Sequence, residues 1–391
     1  MADGLLNKAS IILTPTGYKA GTLYNVAPID EPYEDFDFAR TSTATRINSS
    51  GLVSNVATGV PRINYDSNGE NGHILLEPTS TNLNRYSNSL NPINGGSVSL
   101  NNAISPDGTL NATKLIFGTD TNDGATFNVG GSSCVSSTVY TFSFYAKSIV
   151  GDGRFNLRID TNSQALLVDE NFTATSEWVR YTHTFTSDSS ATSFGSNSRY
   201  RKLTSNNEIL FYGMQLEQLG YATSLIPTLT GSTETRATET ANGAGSAELI
   251  NSTEGVLYAE IAALVNSGLV RYLGLSDGSN NNRVVILNDG TANRIRAIVS
   301  SGGTKYADLF YNVTDVTDFH KVAVKYKAND FALWIDGVER ATDTSGSAPI
   351  GLNDLEFDLN AGGAFYGKCK ALAVFDRALN DTELGNLTNN S

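Results

Sequence analysis

Tyr140-Thr141-Phe142-Ser143-Phe144-Tyr145-Ala146-Lys147 places apolar residues at every second position. A period of two sends successive side chains to opposite faces of a strand, so the stretch reads as a half-buried β-strand. Arg154-Phe155-Asn156-Leu157-Arg158-Ile159-Asp160 and Trp178-Val179-Arg180-Tyr181-Thr182-His183-Thr184-Phe185 repeat the pattern, with Ser-, Gly- and Asn-rich turns between them. Further along, Val256–Ile261, Arg283–Leu287, Arg294–Val299, His320–Tyr326 and Phe331–Asp336 continue it. Asp336-Gly337 is a tight-turn dipeptide. Closely spaced strands without the alternating helices of a parallel sheet indicate an all-β chain of antiparallel β-sandwiches. A single short helix is expected near the end, where Asn380 can cap it and Glu383 stands three residues on, as in a capping box.

Working outward, the chain divides into three regions. Residues 91–228 hold the first set of strands and form one sandwich. Residues 229–391 hold the second set and form another, entered through a polar linker, Thr230-Gly231-Ser232-Thr233-Glu234-Thr235-Arg236. Residues 1–90 differ. Ile11-Ile12-Leu13-Thr14-Pro15 and Leu23-Tyr24-Asn25-Val26-Ala27-Pro28 are short apolar pieces broken by Pro and Gly. Such pieces suit an extended arm laid on another chain, followed by a small β region.

Hydrophobic residues make up 40% of the 391 positions and charged residues 17%, the reverse of a disordered composition. The formal net charge is −13 and no basic run occurs. Nucleic-acid binding and attachment to an anionic membrane are therefore not expected, because both need clustered Lys and Arg. No stretch approaches the ~20 apolar residues of a membrane span. The opening Met1-Ala-Asp-Gly-Leu-Leu carries no export signal. The two cysteines, Cys134 and Cys369, stand in different regions beside strand patterns and are expected as buried free thiols.

Three stretches carry resemblances. Phe38-Ala39-Arg40-Thr41-Ser42-Thr43-Ala44-Thr45-Arg46-Ile47-Asn48, then Gly51-Leu52-Val53, Pro61-Arg62-Ile63-Asn64-Tyr65 and Leu75-Leu76-Glu77-Pro78-Thr79-Ser80-Thr81-Asn82-Leu83, resemble a module of bacteriophage head-fibre or tail-fibre proteins. The middle region resembles jelly-roll carbohydrate-binding modules through Tyr140–Lys147, Glu177–Tyr181 and Gly213-Met214-Gln215-Leu216-Glu217. The last region is similar to concanavalin-like, laminin-G-type sandwiches through Leu333-Trp334-Ile335-Asp336-Gly337-Val338 and Leu372–Asp381. These resemblances imply a virion protein on the exterior of the particle, docked to capsid or tail proteins through its N-terminus. They also imply a homo-oligomer, a trimer in the manner of phage fibres. Sandwiches host many functions, so the ligand does not follow from the fold.

The chemistry-bearing residues are sparse in motifs. No nucleophile elbow, phosphate-cradling loop or zinc-type spacing occurs, and the three histidines fall one to a region. No acid pair stands in a recognisable glycosidase motif, so the chain reads as a non-enzyme. No cofactor is required. Structural calcium is the ion its oxygen-rich turns could accept, with Asp120, Asn122 and Asp123 as ligands. The competing reading of such loops is an ordinary Asx turn. For a glycan, which stacks on rings and bonds to amides and carboxylates, the candidates are Tyr272, Asp277, Asn280, Asn281 and Asn282. Trp178 and Trp334 read as core. Ile11, Ile12, Leu13, Tyr18, Leu23 and Tyr24 are the candidate virion-attachment residues. The expected function is a particle appendage presenting glycan-binding-type sandwiches to host-surface polysaccharide. Its competitors are a purely structural decoration protein and, further off, a polysaccharide depolymerase.

Overall fold

A computed structural model describes residues 2–26, 35–203, 207–266, 269–358 and 363–389. In the middle region Val139–Val150 lies between Glu208–Glu217 and Val179–Thr186, in a five-stranded sheet completed by Leu110–Ile116 and Ser97–Ile104. The facing sheet runs Asn91–Ile93, Gly124–Thr126, Arg199–Lys202, Arg154–Asp160, Leu166–Thr173. Tyr140, Phe142 and Phe144 point between the two sheets and meet Phe127, Phe155, Tyr200 and Phe211. Ring centroids lie 4.6 Å apart for Phe127–Phe142 and 4.2 Å for Tyr200–Phe211. The opposite face of Val139–Val150 is not left to solvent, as simple alternation implies. Thr141 and Ser143 are buried as well, because the returning chain covers them. Thr141 Oγ1 donates to Leu219 O at 2.9 Å, and Ser143 Oγ accepts from Arg180.

The second sandwich packs an eight-stranded sheet on a five-stranded one. The large sheet orders Val338–Asp343, Phe331–Ile335, His320–Lys327, Glu254–Ala263, Gly367–Phe375, His73–Leu76 and Ile63–Asn64, with Ile11–Leu13 also paired to Gly367–Phe375. The small one orders Thr304–Asn312, Arg294–Ser301, Arg283–Asn288, Arg271–Ser276 and Asp354–Glu356. All ladder pairings among the described strands are antiparallel. Asp336 and Gly337 both take positive φ between Ile335 and Val338, as a two-residue hairpin with the strand twist requires. The helix Asp381–Thr388 begins at Asn380 with the expected capping box, and its Leu384 and Leu387 pack with the buried Trp334. Cys134 and Cys369 are buried free thiols.

The opening region has the broken, extended form read from its sequence, but the surface it lies on belongs to the same chain. Ile11, Leu13, Leu23, Phe36 and Phe38 enter the core of the second sandwich. Ile12 joins the cluster around Trp334 on the other side of the sheet. Apolar pieces need a partner surface, and here the edge of Gly367–Phe375 supplies it. Thr22–Leu23, Phe36–Ala39 and Thr240–Asn242 form a further small sheet with Tyr18–Lys19. The stretch expected as a polar linker is also structured at its end. Glu234–Arg236 pairs with Ser80–Asn82, and Arg236 is buried. The first region is thus the seam between two sandwiches, with contacts to both.

Candidate functional site

The motifs of residues 36–90 converge on one buried charge network at this seam. Arg40 donates to Glu239 Oε1 at 2.7 Å, and also to the carbonyls of Ser42, Val60 and Ala57. Arg62 holds Glu239 through both carboxylate oxygens and reaches Glu77 at 2.8 Å. Arg236 meets Glu77 at 3.0 Å and donates to Pro78 O. The side chains of Arg40, Arg62, Arg236, Glu77 and Glu239 are at most 3% exposed. Burial alone would raise the Glu77 carboxyl, but the guanidiniums of Arg236 and Arg62 overcome that and hold it at about 2. Glu217, on the last jelly-roll strand, accepts from Ser80 Oγ, Gln215 Nε2 and both N–H and O–H of Thr223. Asn82 completes the tie. Its Oδ1 accepts from the N–H groups of Asn84 and Leu216, and its Nδ2 donates to Met214 O, Ile226 O and Ser87 Oγ. Three arginines thus share two glutamates in ion pairs, while Glu217 is held by neutral donors beside them.

Above it the seam opens. The hairpin Ala44–Ile47/Val53–Val56 is flanked by three cavities of ≈210, ≈290 and ≈250 Å³. The first is walled by both sandwiches and by the hairpin: Tyr145 and Arg180 come from the jelly roll, Arg46 and Asn64 from the seam, Leu264 and Lys368 from the second sandwich. Ligand sites favour such inter-domain clefts. Arg46 Nη1 donates to the Tyr18 hydroxyl at 3.0 Å, and its guanidinium lies 6.0 Å from the Tyr18 ring. Arg180 donates to Ser143 Oγ at 3.0 Å and lies 5.6 Å from the Tyr145 ring. Burial pulls the Lys368 ammonium below its ordinary value, against the pull of Glu77 and Asp318. Asn64 is fixed by accepting from Ile47 N and donating to Tyr65 O and His73 Nε2. His73 is held neutral, at about 4, chiefly by burial, with Lys368 nearby adding to the effect. The ≈290 Å³ cavity shares Thr45 and Val53 with the first and is lined by Asn55, Asn88, Asn101 and Asn111.

The residues singled out in the sequence lie elsewhere. Asp277 binds its own loop: Oδ1 accepts from Ser279 N and Oγ, and Oδ2 from Asn282 Nδ2. Those bonds hold its carboxyl below the usual range against the opposing effect of burial. Asn282 is buried and accepts from Gly302 N, while Asn280 accepts from Arg283. Asn281 remains exposed. Tyr272 stands near the other end of the Arg271–Ser276 strand, about 13 Å along it from Ser276 at 3.3 Å per residue. It packs with Val285, Leu287 and Ile298. These five residues therefore form no single surface, and the loop is an Asx turn. Asp123 likewise staples a turn, accepting from Gly95 N at 3.0 Å and Asp120 N at 2.8 Å, with Lys202 adding positive charge. With both carboxylate oxygens taken by N–H donors and the Lys202 ammonium nearby on Thr119 O, Asp123 is a turn staple and has the wrong surroundings for a calcium ligand. Among the described residues no group of three or more His, Cys, Asp or Glu is arranged to hold a metal. Of the attachment candidates, Ile11, Ile12, Leu13 and Leu23 are buried and spent inside the chain, and Tyr18 positions Arg46. Tyr24 is half-buried under Lys19. Trp334 is buried in the core, whereas Trp178 is only half-buried on the Val53, Tyr212 and Leu225 cluster and donates to Ile104 O. Arg46, Arg180 and Lys368 were not legible as a group, because they come one from each of the three regions.

No family model matches the chain, and no curated protein does. Among solved structures, the chain is similar to the carbohydrate-binding module CBM40 of the Ruminococcus gnavus IT-sialidase bound to α2,3-sialyllactose, at 17% identity. That match covers 38% of this chain and 94% of that one, with a TM-score of 0.32. Domain 4 of AbnA, a GH43 extracellular arabinanase from Geobacillus stearothermophilus, in complex with arabinotriose, is 12% identical over 39% of this chain and 73% of that one, with a TM-score of 0.31. A CBM4 structure is 18% identical over 32% of this chain and 86% of that one, with a TM-score of 0.24.

Proposed function

We propose that the protein is a non-enzymatic adhesin on the exterior of a bacteriophage particle, a head-fibre or tail-fibre appendage that engages host-surface polysaccharide. The observation that carries this reading is the seam. The segment resembling phage appendage modules is the one whose Arg40, Arg62, Glu77 and Asn82 tie two sandwiches together around a polar cleft. A structural brace with an open, amide- and cation-lined mouth suits adhesion better than bond cleavage. Glu77 is the carboxylate at that mouth, and it is ion-paired, ionised and held at about 2, which disqualifies it as a general acid. Weak sites gain strength when several copies act together, so a homo-oligomer, a trimer in the fibre pattern, fits the reading.

Docking to capsid or tail proteins then falls to a surface other than the buried Ile11, Ile12, Leu13 and Leu23. A decoration protein without glycan binding is the second reading. It is favoured by Leu100, Ile104 and Leu110, each more than half exposed on the Ser97–Ile104/Leu110–Ile116 hairpin, where a neighbouring virion chain could cover them. Two measurements test the proposal. Gold-labelled antibody on intact particles should mark the exterior, and purified protein should be retained on host polysaccharide. Absence from particles contradicts the virion assignment, and presence without any polysaccharide retention favours decoration.

A further inference from the structure

We propose that the ≈210 Å³ cleft between the sandwiches binds a saccharide unit carrying a carboxylate, through Arg46, Arg180 and Lys368. This deepens the adhesion reading and rests on it.

Three cationic side chains from three separate regions line one small cavity in a chain of net charge −13. Among the described residues none of the three is in an ion pair, whereas the arginines directly below them are all paired. The one carboxylate in the wall, Glu77, is already neutralised by Arg62 and Arg236. Among the described residues, the cleft wall therefore carries more positive than negative charge, with Asp318 acting on Lys368 from a distance. The Nε–H groups of Arg46 and Arg180 lack an acceptor but are closed to solvent, as is that of Arg236, so the groups that meet a ligand are the terminal guanidinium nitrogens. Each guanidinium is held in place by its tyrosine, Tyr18 or Tyr145, so the donors are positioned before a ligand arrives. Arginine forks match the planar, two-oxygen geometry of a carboxylate.

Size and lining favour a sugar acid over a bare ion. The volume falls below the ~300–1,000 Å³ of sites for drug-sized ligands yet far exceeds the ~30 Å³ share of one water, which suits a single ring. The neighbouring ≈290 Å³ cavity shares Thr45 and Val53 and presents four asparagines, suited to the hydroxyls of an adjoining neutral unit.

The test uses the full chain and calorimetric titration. The probes are methyl glycosides of glucuronate, galacturonate and N-acetylneuraminate, each beside its neutral methyl ester. At least one acid is expected to bind at least tenfold tighter than its ester, and to weaken as salt rises from 50 to 500 mM. The variant R46Q/R180Q, with an unfolding midpoint matching the parent, is expected to lose at least tenfold in affinity for that acid. Failure of all three acids to bind, or acid and ester binding alike, overturns the proposal. So does poly-glutamate or sulfate binding tighter than every sugar acid. The acid–ester pair on the parent protein decides the matter even if the variant does not fold. Retention on a neutral host polysaccharide, unchanged in R46Q/R180Q, would overturn this site while leaving adhesion standing. Loss of all polysaccharide retention would instead remove the adhesion reading.

Discussion

Two sets of charges sit one above the other at the seam, and they differ in burial and in pairing. The lower set, Arg40, Arg62 and Arg236 with Glu77 and Glu239, is buried, and every charge has an opposite neighbour. The upper set, Arg46, Arg180 and Lys368, is half-buried and makes no ion pair among the described residues. Removing one member of a buried pair strands the other in low dielectric, whereas removing an unpaired, partly solvated cation strands nothing. The lower set should therefore govern stability and the upper set binding.

The sharpest way to break that division is Glu239→Ala, which leaves Arg40 and Arg62 short of their counter-ion. A loss of about 3–5 kcal/mol is expected from the cost of an uncompensated buried charge, read by urea unfolding. A loss below about 1 kcal/mol would erase the distinction. Ile11→Ala sets the scale from packing alone. It truncates a fully buried side chain of the opening segment and should cost about 2–5 kcal/mol, with the transition of the second sandwich most affected. An arm meant for another chain would show almost no loss.

A third contrast is a buried carboxylate without a cation. Burial is the main cause that pushes Glu356 up to about 7, with Ser276 its hydrogen-bond donor. Its folded pKa lies above its unfolded one. Its contribution to stability is thus full below about pH 4.5 and is lost as pH rises toward 7. Glu77 behaves oppositely: its contribution is full above about pH 4.5 and is lost as pH falls toward 2. A thermal midpoint measured from pH 2 to 8 should fall at both ends, and Glu356→Gln should flatten only the upper limb. The smallest effect belongs to R46Q/R180Q, expected to shift stability by less than about 1 kcal/mol. A larger loss would assign those arginines to the brace.

The strands are legible because apolar side chains recur at period two, as at Tyr140, Phe142, Phe144 and Ala146, even where the returning chain also covers Thr141 and Ser143 on the other face. The turn at Asp336-Gly337 and the cap at Asn380 were legible because each depends only on residues within three positions. The destination of Ile11-Ile12-Leu13 was not. An apolar run declares that something covers it, and only the fold decides whether that is Val374 of the same chain or another molecule. The motif residues Arg40 and Arg62 stood out, yet their partner Glu239 lies 199 and 177 residues away. Asp277–Asn282 shows a different limit of sequence. Oxygen-rich loops that bind ligands and Asx turns that bind themselves share one composition. The cleft leaves no mark in the sequence because its three cations are isolated along the chain.

The brace makes one body of the two sandwiches. Spin labels on cysteines introduced at Ser136 of the jelly roll and Thr344 of the second sandwich, both exposed, would report this by pulsed dipolar distance measurement, since Cys134 and Cys369 are buried. A single narrow distance distribution in the parent chain, broadened by Glu239→Ala, is the predicted result. A broad distribution in the parent would mean that the sandwiches move independently, and both the brace and the cleft it shapes would fall with that finding.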